Sequence, residues 1–173
     1  MTLRAPRLDL IPEDIPALEA FVKAPGNMAA MLGVEVPPDW PVCGADVIGY
    51  VADWIRSDPD LGGFGAYFII HRADGRLIGD GGFKGRPNGR GEVEIGYAII
   101  EAYRRQGYAT EAAAALIDWA FRQPEVYAVI AETLPDGFHS QKVLRKLGMV
   151  FAGEYRHPDD GPILRWRLER PPR

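Results

Sequence analysis

The chain has 173 residues, of which 47% are apolar and 25% charged, a composition that excludes a disordered tail and supplies enough material for one domain with a substantial core. Its 20 Lys and Arg against 24 Asp and Glu give a net charge of −4 and a pI near 5.4, which argues against direct nucleic-acid binding but leaves room for local phosphate sites. The lone Cys43 excludes an intrachain disulfide, the three histidines lack metal-ligand spacing, no apolar run is long enough to span a membrane, and the start Met1-Thr2-Leu3-Arg4-Ala5-Pro6 has no signal-peptide core, so no metal and a cytoplasmic location are expected.

Arg7 to Ile11 predicts a short strand, followed by a helix from Glu13 to Val22 that Pro25-Gly26 ends. Val34 through Pro41 is rich in proline and predicts a loop. Val47, Ile48, Val51, Trp54 and Ile55 recur at helical spacing and predict a second helix with one packing face. Phe64 to His71, Leu77 to Phe83 and Glu92 to Ile99 predict three strands of an antiparallel meander, joined by turns at Ala73 to Arg76 and at Pro87 to Gly91.

The pattern then changes period. Ala109, Ala112, Ala113, Leu116, Ala120 and Phe121 form a helical stripe, Val126 to Ala131 predicts a strand, and His139 to Leu147 a helix closed by Gly148. Met149 to Gly153 and Ile163 to Leu168 predict the last strands, with Pro158 to Pro162 as the loop between them. No internal repeat argues for a solenoid, and no linker divides residues 1–173, which are expected to form one domain.

The most informative segment joins the strand ending at Ile99 to the alanine-rich helix: Arg104-Arg105-Gln106-Gly107-Tyr108-Ala109. A strand that passes through a basic, glycine-containing turn into a helix is built to hold phosphate. Glycine allows close backbone approach, the first helical turn offers unpaired N–H groups at the positive end of the peptide dipole, and two arginines add fork-shaped donors.

Glu92-Val93-Glu94-Ile95-Gly96-Tyr97-Ala98-Ile99, then Tyr103-Arg104-Arg105-Gln106-Gly107-Tyr108-Ala109-Thr110-Glu111-Ala112, and finally Ser140-Gln141-Lys142-Val143-Leu144-Arg145-Lys146-Leu147-Gly148-Met149 resemble the GNAT superfamily of N-acetyltransferases, particularly its ribosomal-protein branch. The resemblance implies a mixed α/β fold, with a predominantly antiparallel central sheet, flanking helices and splayed strands that leave an acyl-CoA groove. It places Arg104, Arg105, Gln106, Gly107, Tyr108, Ala109 and Thr110 around the CoA pyrophosphate. Ile95, Tyr97, Ala98 and Ile99 would border the pantetheine arm, with Ser140 beside it. The asparagine many relatives carry before the helix-start serine is Gly137 here, and the tyrosine one turn beyond is Leu144, so neither role carries over.

The implied reaction is acetyl transfer from acetyl-CoA to a primary amine, that of a protein N-terminus, a ribosomal protein, a lysine or a small polyamine-like metabolite, with peptide acceptors slightly favoured by the resemblance. A carboxylate takes the amine proton and a hydroxyl or N–H serves the developing charge or the leaving thiolate. Glu94 is the first candidate for the base. Glu92 lies on the same side of the strand and is the alternative, positioning the substrate or raising the pKa of its partner; the bland reading is that both only keep a half-exposed strand soluble. Ser140 is a candidate for protonating the thiolate, and a residue of its kind at a helix start more commonly caps backbone N–H groups. Trp40, Tyr155 and His157 are candidates for a substrate-facing wall. The competing function is a catalytically diverged acetyl-CoA-binding regulatory or interaction module. A homodimer is compatible with the resemblance.

Overall fold

The computed structural model describes residues 1–59 and 61–172. Its strands are β1 (Leu3–Arg4), β2 (Leu8–Pro12), β3 (Ala66–His71), β4 (Arg76–Phe83), β5 (Glu92–Ile99), β6 (Ala128–Thr133), β7 (Val150–His157) and β8 (Gly161–Glu169). The helices are α1 (Ile15–Lys23), α2 (Pro25–Leu32), α3 (Asp46–Ser57), α4 (Tyr108–Ala120) and α5 (Phe138–Lys146). All eight strands join one sheet in the order β1-β2-β3-β4-β5-β6-β8-β7. Only β5 and β6 run parallel. The mixed α/β architecture and the antiparallel meander are as the sequence leads one to expect.

Each face of the sheet has its own cover. On one face α4 buries Ala112, Ala113, Leu116, Ile117 and Ala120, and its alanines let the helix approach the strands closely. Trp119 closes this layer against Phe64 and Phe83, with ring centroids 4.8 and 5.2 Å away, geometry worth about 0.5–1.5 kcal/mol per pair beyond buried area. On the other face Trp40 meets Phe21 of α1 and Phe68 of β3 at 5.0 and 5.8 Å. The start of α1 is fixed by Asp14, whose carboxylate accepts from the Ala17 N–H at 2.8 Å, a cap worth ~1 kcal/mol.

Three local expectations are corrected. Pro25-Gly26 does not merely end a helix: Ala24 breaks the chain with extended torsions and Pro25 opens α2, where a missing N–H costs nothing. The last loop is shorter than expected, since β7 runs on to His157 and β8 starts at Gly161. Pro162 is tolerated there because pairing with β6 begins only at Leu164. Trp40, expected at a substrate-facing loop, is 3% exposed and belongs to the core.

The feature that positions the site is a parting of the two parallel strands. β5 and β6 pair from Glu92–Ala128 to Ile95–Ala131. Beyond that point β5 stays with β4, Ala98 opposite Asp80, and β6 stays with β8, Thr133 opposite Leu164. A gap therefore opens in the middle of the sheet at Gly96.

Candidate active site

A cavity of about 730 Å³ lies along the parted strand, the turn after it and α5. Of the residues singled out from sequence, Tyr97, Ala98, Ile99, Arg104, Arg105, Gly107, Tyr108, Ala109, Thr110 and Ser140 line it. Val42, Glu101, Tyr103, His139, Lys142, Val143 and Lys146 line it too and were not anticipated. His139, Lys142, Val143 and Lys146 follow the i, i+3, i+4, i+7 rule of one helical face, which is the signal that would have found them.

At the end of the cavity nearest α4 the backbone is shaped for an anion. Arg105 has φ 61° and Gly107 φ 88°, and a left-handed non-glycine residue costs on the order of 1–2 kcal/mol. Successive turns of this kind point several N–H groups into one concavity. The α4 ladder begins with Glu111 donating to Gly107 O at 3.0 Å, so the first-turn N–H groups of Tyr108, Ala109 and Thr110 have no partner within the helix. No side chain caps this end. Arg104, Arg105, Lys142 and Lys146 line the same cavity and add positive charge to it.

Long-range contacts hold the turn in shape. Arg7 donates from its backbone N–H and its Nε to the Glu111 carboxylate at 2.6 and 2.7 Å, and both terminal nitrogens reach Gln106 O at 3.2 Å. Its guanidinium lies 4.2 Å from the centre of the Tyr108 ring. The Tyr108 hydroxyl is 3.0 Å from His71 Nε2, so this tyrosine packs into the fold and its hydroxyl is already engaged. Arg104 Nε donates to Ile99 O at 2.9 Å. Gln106 donates to Ala102 O at 3.1 Å and its side chain is not part of the lining; neither is Ile95, which is 2% exposed in the core.

In the same cavity Tyr97 and Ser140 come together from β5 and α5. Burial pushes the Tyr97 phenol up to about 12, and Ser140 beside it acts in the opposite direction. The Tyr97 hydroxyl is buried and makes no well-formed hydrogen bond. Ser140 is not the helix cap that its type suggests. The helix begins two residues earlier, at Phe138 after Gly137, with no side-chain cap, which leaves the serine hydroxyl in the first turn beside the cavity. Leu144, one turn on, is fully buried.

Glu92 and Glu94 lie on the opposite face of β5 from Tyr97, as strand alternation demands, and neither lines the cavity. Glu94 is ion-paired with Lys84. Glu92 is held by Asn88 and Arg167, whose hydrogen bonds keep its carboxyl below the usual range. The same face carries a pair of carboxylates absent from the sequence reading. Asp80, opposite Ala98, accepts from Trp40 Nε1 at 3.0 Å, and burial raises it to about 6 against the pull of that hydrogen bond. Glu13 is raised to about 8, by burial first and by the Asp80 charge second. Between them and Glu94 the sheet carries only glycine: Gly82 pairs with Gly96, and a Cβ placed on Gly96 would meet nothing within 4 Å. Tyr155 donates to Glu132 at 2.8 Å further along this face, and His157 Nδ1 accepts from the Asp159 and Asp160 N–H groups at 3.3 Å in the β7–β8 turn.

Comparison with known proteins agrees with this geometry. Residues 1–150 match the acetyltransferase (GNAT) domain family. The chain is 34% identical over 159 residues to the uncharacterized N-acetyltransferase YjdG of Bacillus subtilis, covering 90% of this chain and 95% of that protein. An acetyltransferase structure from Agrobacterium tumefaciens aligns with a TM-score of 0.67 at 26% identity, over 98% of this chain and 94% of the other. RimL, a ribosomal-protein α-N-acetyltransferase solved in complex with coenzyme A, aligns with a TM-score of 0.73 at 16% identity over 98% of both chains, a likeness of fold.

Proposed function

The chain belongs to the GNAT acetyltransferase family, and we propose that residues 1–173 act as one acetyl-CoA-dependent N-acetyltransferase that acylates a primary amine, a peptide N-terminus being the favoured acceptor. The observation that carries this reading is the continuity of one cavity, from the anion-shaped turn at Arg105 and Gly107 to the parted strand at Tyr97 and Ala98. Acetyl-CoA, when bound, supplies an acyl carbon activated as a thioester.

The residues present fit that group. Backbone N–H groups from Arg105 to Thr110, with Arg104, Lys142 and Lys146 around them, suit a pyrophosphate and a further phosphate. Because β5 past Ile95 has lost its β6 neighbour, the backbone N–H groups of Tyr97 and Ile99, which face away from β4, suit an acyl-pantetheine arm on that side, while Ala98 stays paired with Asp80. The acceptor enters from the opposite face, where Gly96 leaves the strand bare. A carboxylate there takes the amine proton: Glu94 by the family pattern, with Asp80 as the second candidate because burial already brings its pKa towards neutrality.

The competing reading is a diverged acetyl-CoA-binding module, favoured by Gly137 and Leu144 standing where relatives place polar groups. Incubation with acetyl-CoA and a panel of peptide N-termini and small amines, with products weighed by mass spectrometry, decides between them. Acetylated product and free CoA thiol are expected. Tight acetyl-CoA binding without thiol release across the panel would sink the enzyme in favour of the module.

A further inference from the structure

The strand registers lay a bare lane across the face of the sheet that carries Glu94. The Glu13 N–H donates to Ala66 O at 2.9 Å, Ala66 pairs with Gly82, and Gly82 with Gly96, so alternation puts these residues on one row. The floor of that row is alanine and glycine, and Glu13 closes its far end. Three strand spacings separate Glu13 on the β2 side from Gly96 on β5, about 14 Å. Phe68 and Asp80 flank the lane on one side, Lys84 and Glu94 on the other. Glu13, Ala66, Asp80 and Gly96 all keep accessible surface, and a Cβ on Gly96 would meet nothing within 4 Å. The carboxylates of this face fall into two groups. Glu92 is paired with Arg167, Glu94 with Lys84 and Glu132 with Arg165. Among the described residues, Glu13 and Asp80 have no cationic partner; Asp80 accepts from Trp40 with one oxygen, and the Glu13 carboxyl has no hydrogen-bond partner. Burial first and the Asp80 charge second raise Glu13 to about 8, as befits a carboxyl at the bottom of a recess with its demand for positive charge unmet.

We propose that this lane is an acceptor subsite for a second cation: the amine to be acetylated stands over Gly96, and an ammonium or guanidinium joined to it by a slim, unbranched chain ends at Glu13. The inference rests on the acetyl-transfer reading above and adds a requirement on the acceptor. A floor of glycine and alanine lets a methylene chain lie against the sheet. The lane's length, less one charge-assisted hydrogen bond of about 2.8 Å, leaves about 11 Å between the two nitrogens. The arriving cation reverses what raised Glu13, so the carboxyl ionises and its proton goes to solvent. Asp80 lies on β4, next to Gly96, and so stands nearer the reacting amine, where the proton acceptor is needed. Two sources supply this chemistry: a free diamine or polyamine, and a peptide whose second residue is basic.

Acceptor kinetics above pH 8, where the Glu13 carboxyl is ionised, test the subsite with two matched pairs. One pair is terminal diaminooctane against the aminooctanol of equal length; the other is a peptide with lysine at its second position against the same peptide with norleucine there. Wild type is expected to favour the second cation in kcat/KM by about tenfold or more in at least one pair. Preference in the diamine pair alone assigns the subsite to free amines, and preference in the peptide pair alone assigns it to N-termini. In Glu13→Gln the preference falls below about threefold, and Ala66→Leu, which puts a side chain into the lane, removes it with Glu13 still present. Equal kcat/KM within both pairs on wild type, or a preference that survives either substitution, overturns the proposal and leaves the transferase standing. Calorimetry of diaminooctane on wild type and Glu13→Gln covers the remaining case. Tighter binding to wild type with no acetylated product upholds the subsite and overturns the transfer reading instead.

Discussion

The two faces of β5 are built by different means. On the cavity side the anion-shaped turn is made of consecutive residues, its donors are largely backbone N–H groups, and its torsions at Arg105 and Gly107 set the shape. On the far side the chemistry is carried by side chains from separate strands and loops: Glu13, Trp40, Asp80, Lys84 and Glu94 meet only through folding. Backbone recognition tolerates substitution of side chains but not of torsions. Side-chain recognition has the reverse sensitivity, so one surface can keep its ligand while the other changes acceptor.

The strongest way to break this division is to mutate the far face and look for damage on the near one. Glu94→Gln and Asp80→Asn are each expected to leave acetyl-CoA affinity within about twofold, and the one that removes the proton acceptor lowers turnover on the order of 100-fold. Turnover insensitive to both, across pH, would remove these carboxylates from proton transfer. A smaller effect is expected on the cavity side. Gly107→Val forces a branched residue into φ 88°, at a cost on the order of 1–3 kcal/mol, and acetyl-CoA affinity measured by calorimetry should drop about tenfold or more. Arg105→Ala, which leaves the turn's backbone donors in place, should cost only about three- to fivefold and less at high salt. The ranking of these two variants is the informative result, since the opposite order would make the site a side-chain device.

The smallest effect concerns stability. The native state binds a proton at Glu13 up to about pH 8, whereas an unfolded carboxyl releases it near 4.3. The folded protein therefore holds more protons than the unfolded chain between those values, and stability falls as pH rises through that window. Asp80, raised to about 6, adds a loss at the acid end of the same range. Glu13→Gln should flatten the profile and melt a few degrees above wild type at pH 8, with little difference at pH 4. A wild-type melting temperature that climbs from pH 5 to 8 in step with the variant would refute the buried pair.

What could be read from the chain follows the same division. Arg104 to Thr110 were legible because a phosphate turn is local: charge, glycine and helix start lie within seven consecutive positions. The strand at Glu92 to Ile99 was legible from its alternation, and that alternation also implies that Glu94 and Tyr97 point apart. The residue type of Ser140 favours a cap over a role at the thiolate, but a cap depends on where the helix starts, and the start at Phe138 is set by the turn at Gly137. Asp80 was beyond reach. Only the register of β4 against β5 and the seating of Trp40 bring it to the centre, and neither leaves a local mark.

Arg7 has one further consequence. It fastens the β1–β2 hairpin at the margin of the sheet to Gln106 and to Glu111, 104 residues away. A two-residue outermost strand such as β1 is where fraying begins, and each fraying event that withdraws Arg7 also loosens the phosphate turn. Opening of the hairpin and occupancy of the turn are thus linked equilibria, and a ligand seated in the turn is expected to slow amide hydrogen exchange in residues 3–12. The hairpin at the edge of the sheet becomes a reporter of whether a ligand occupies the turn.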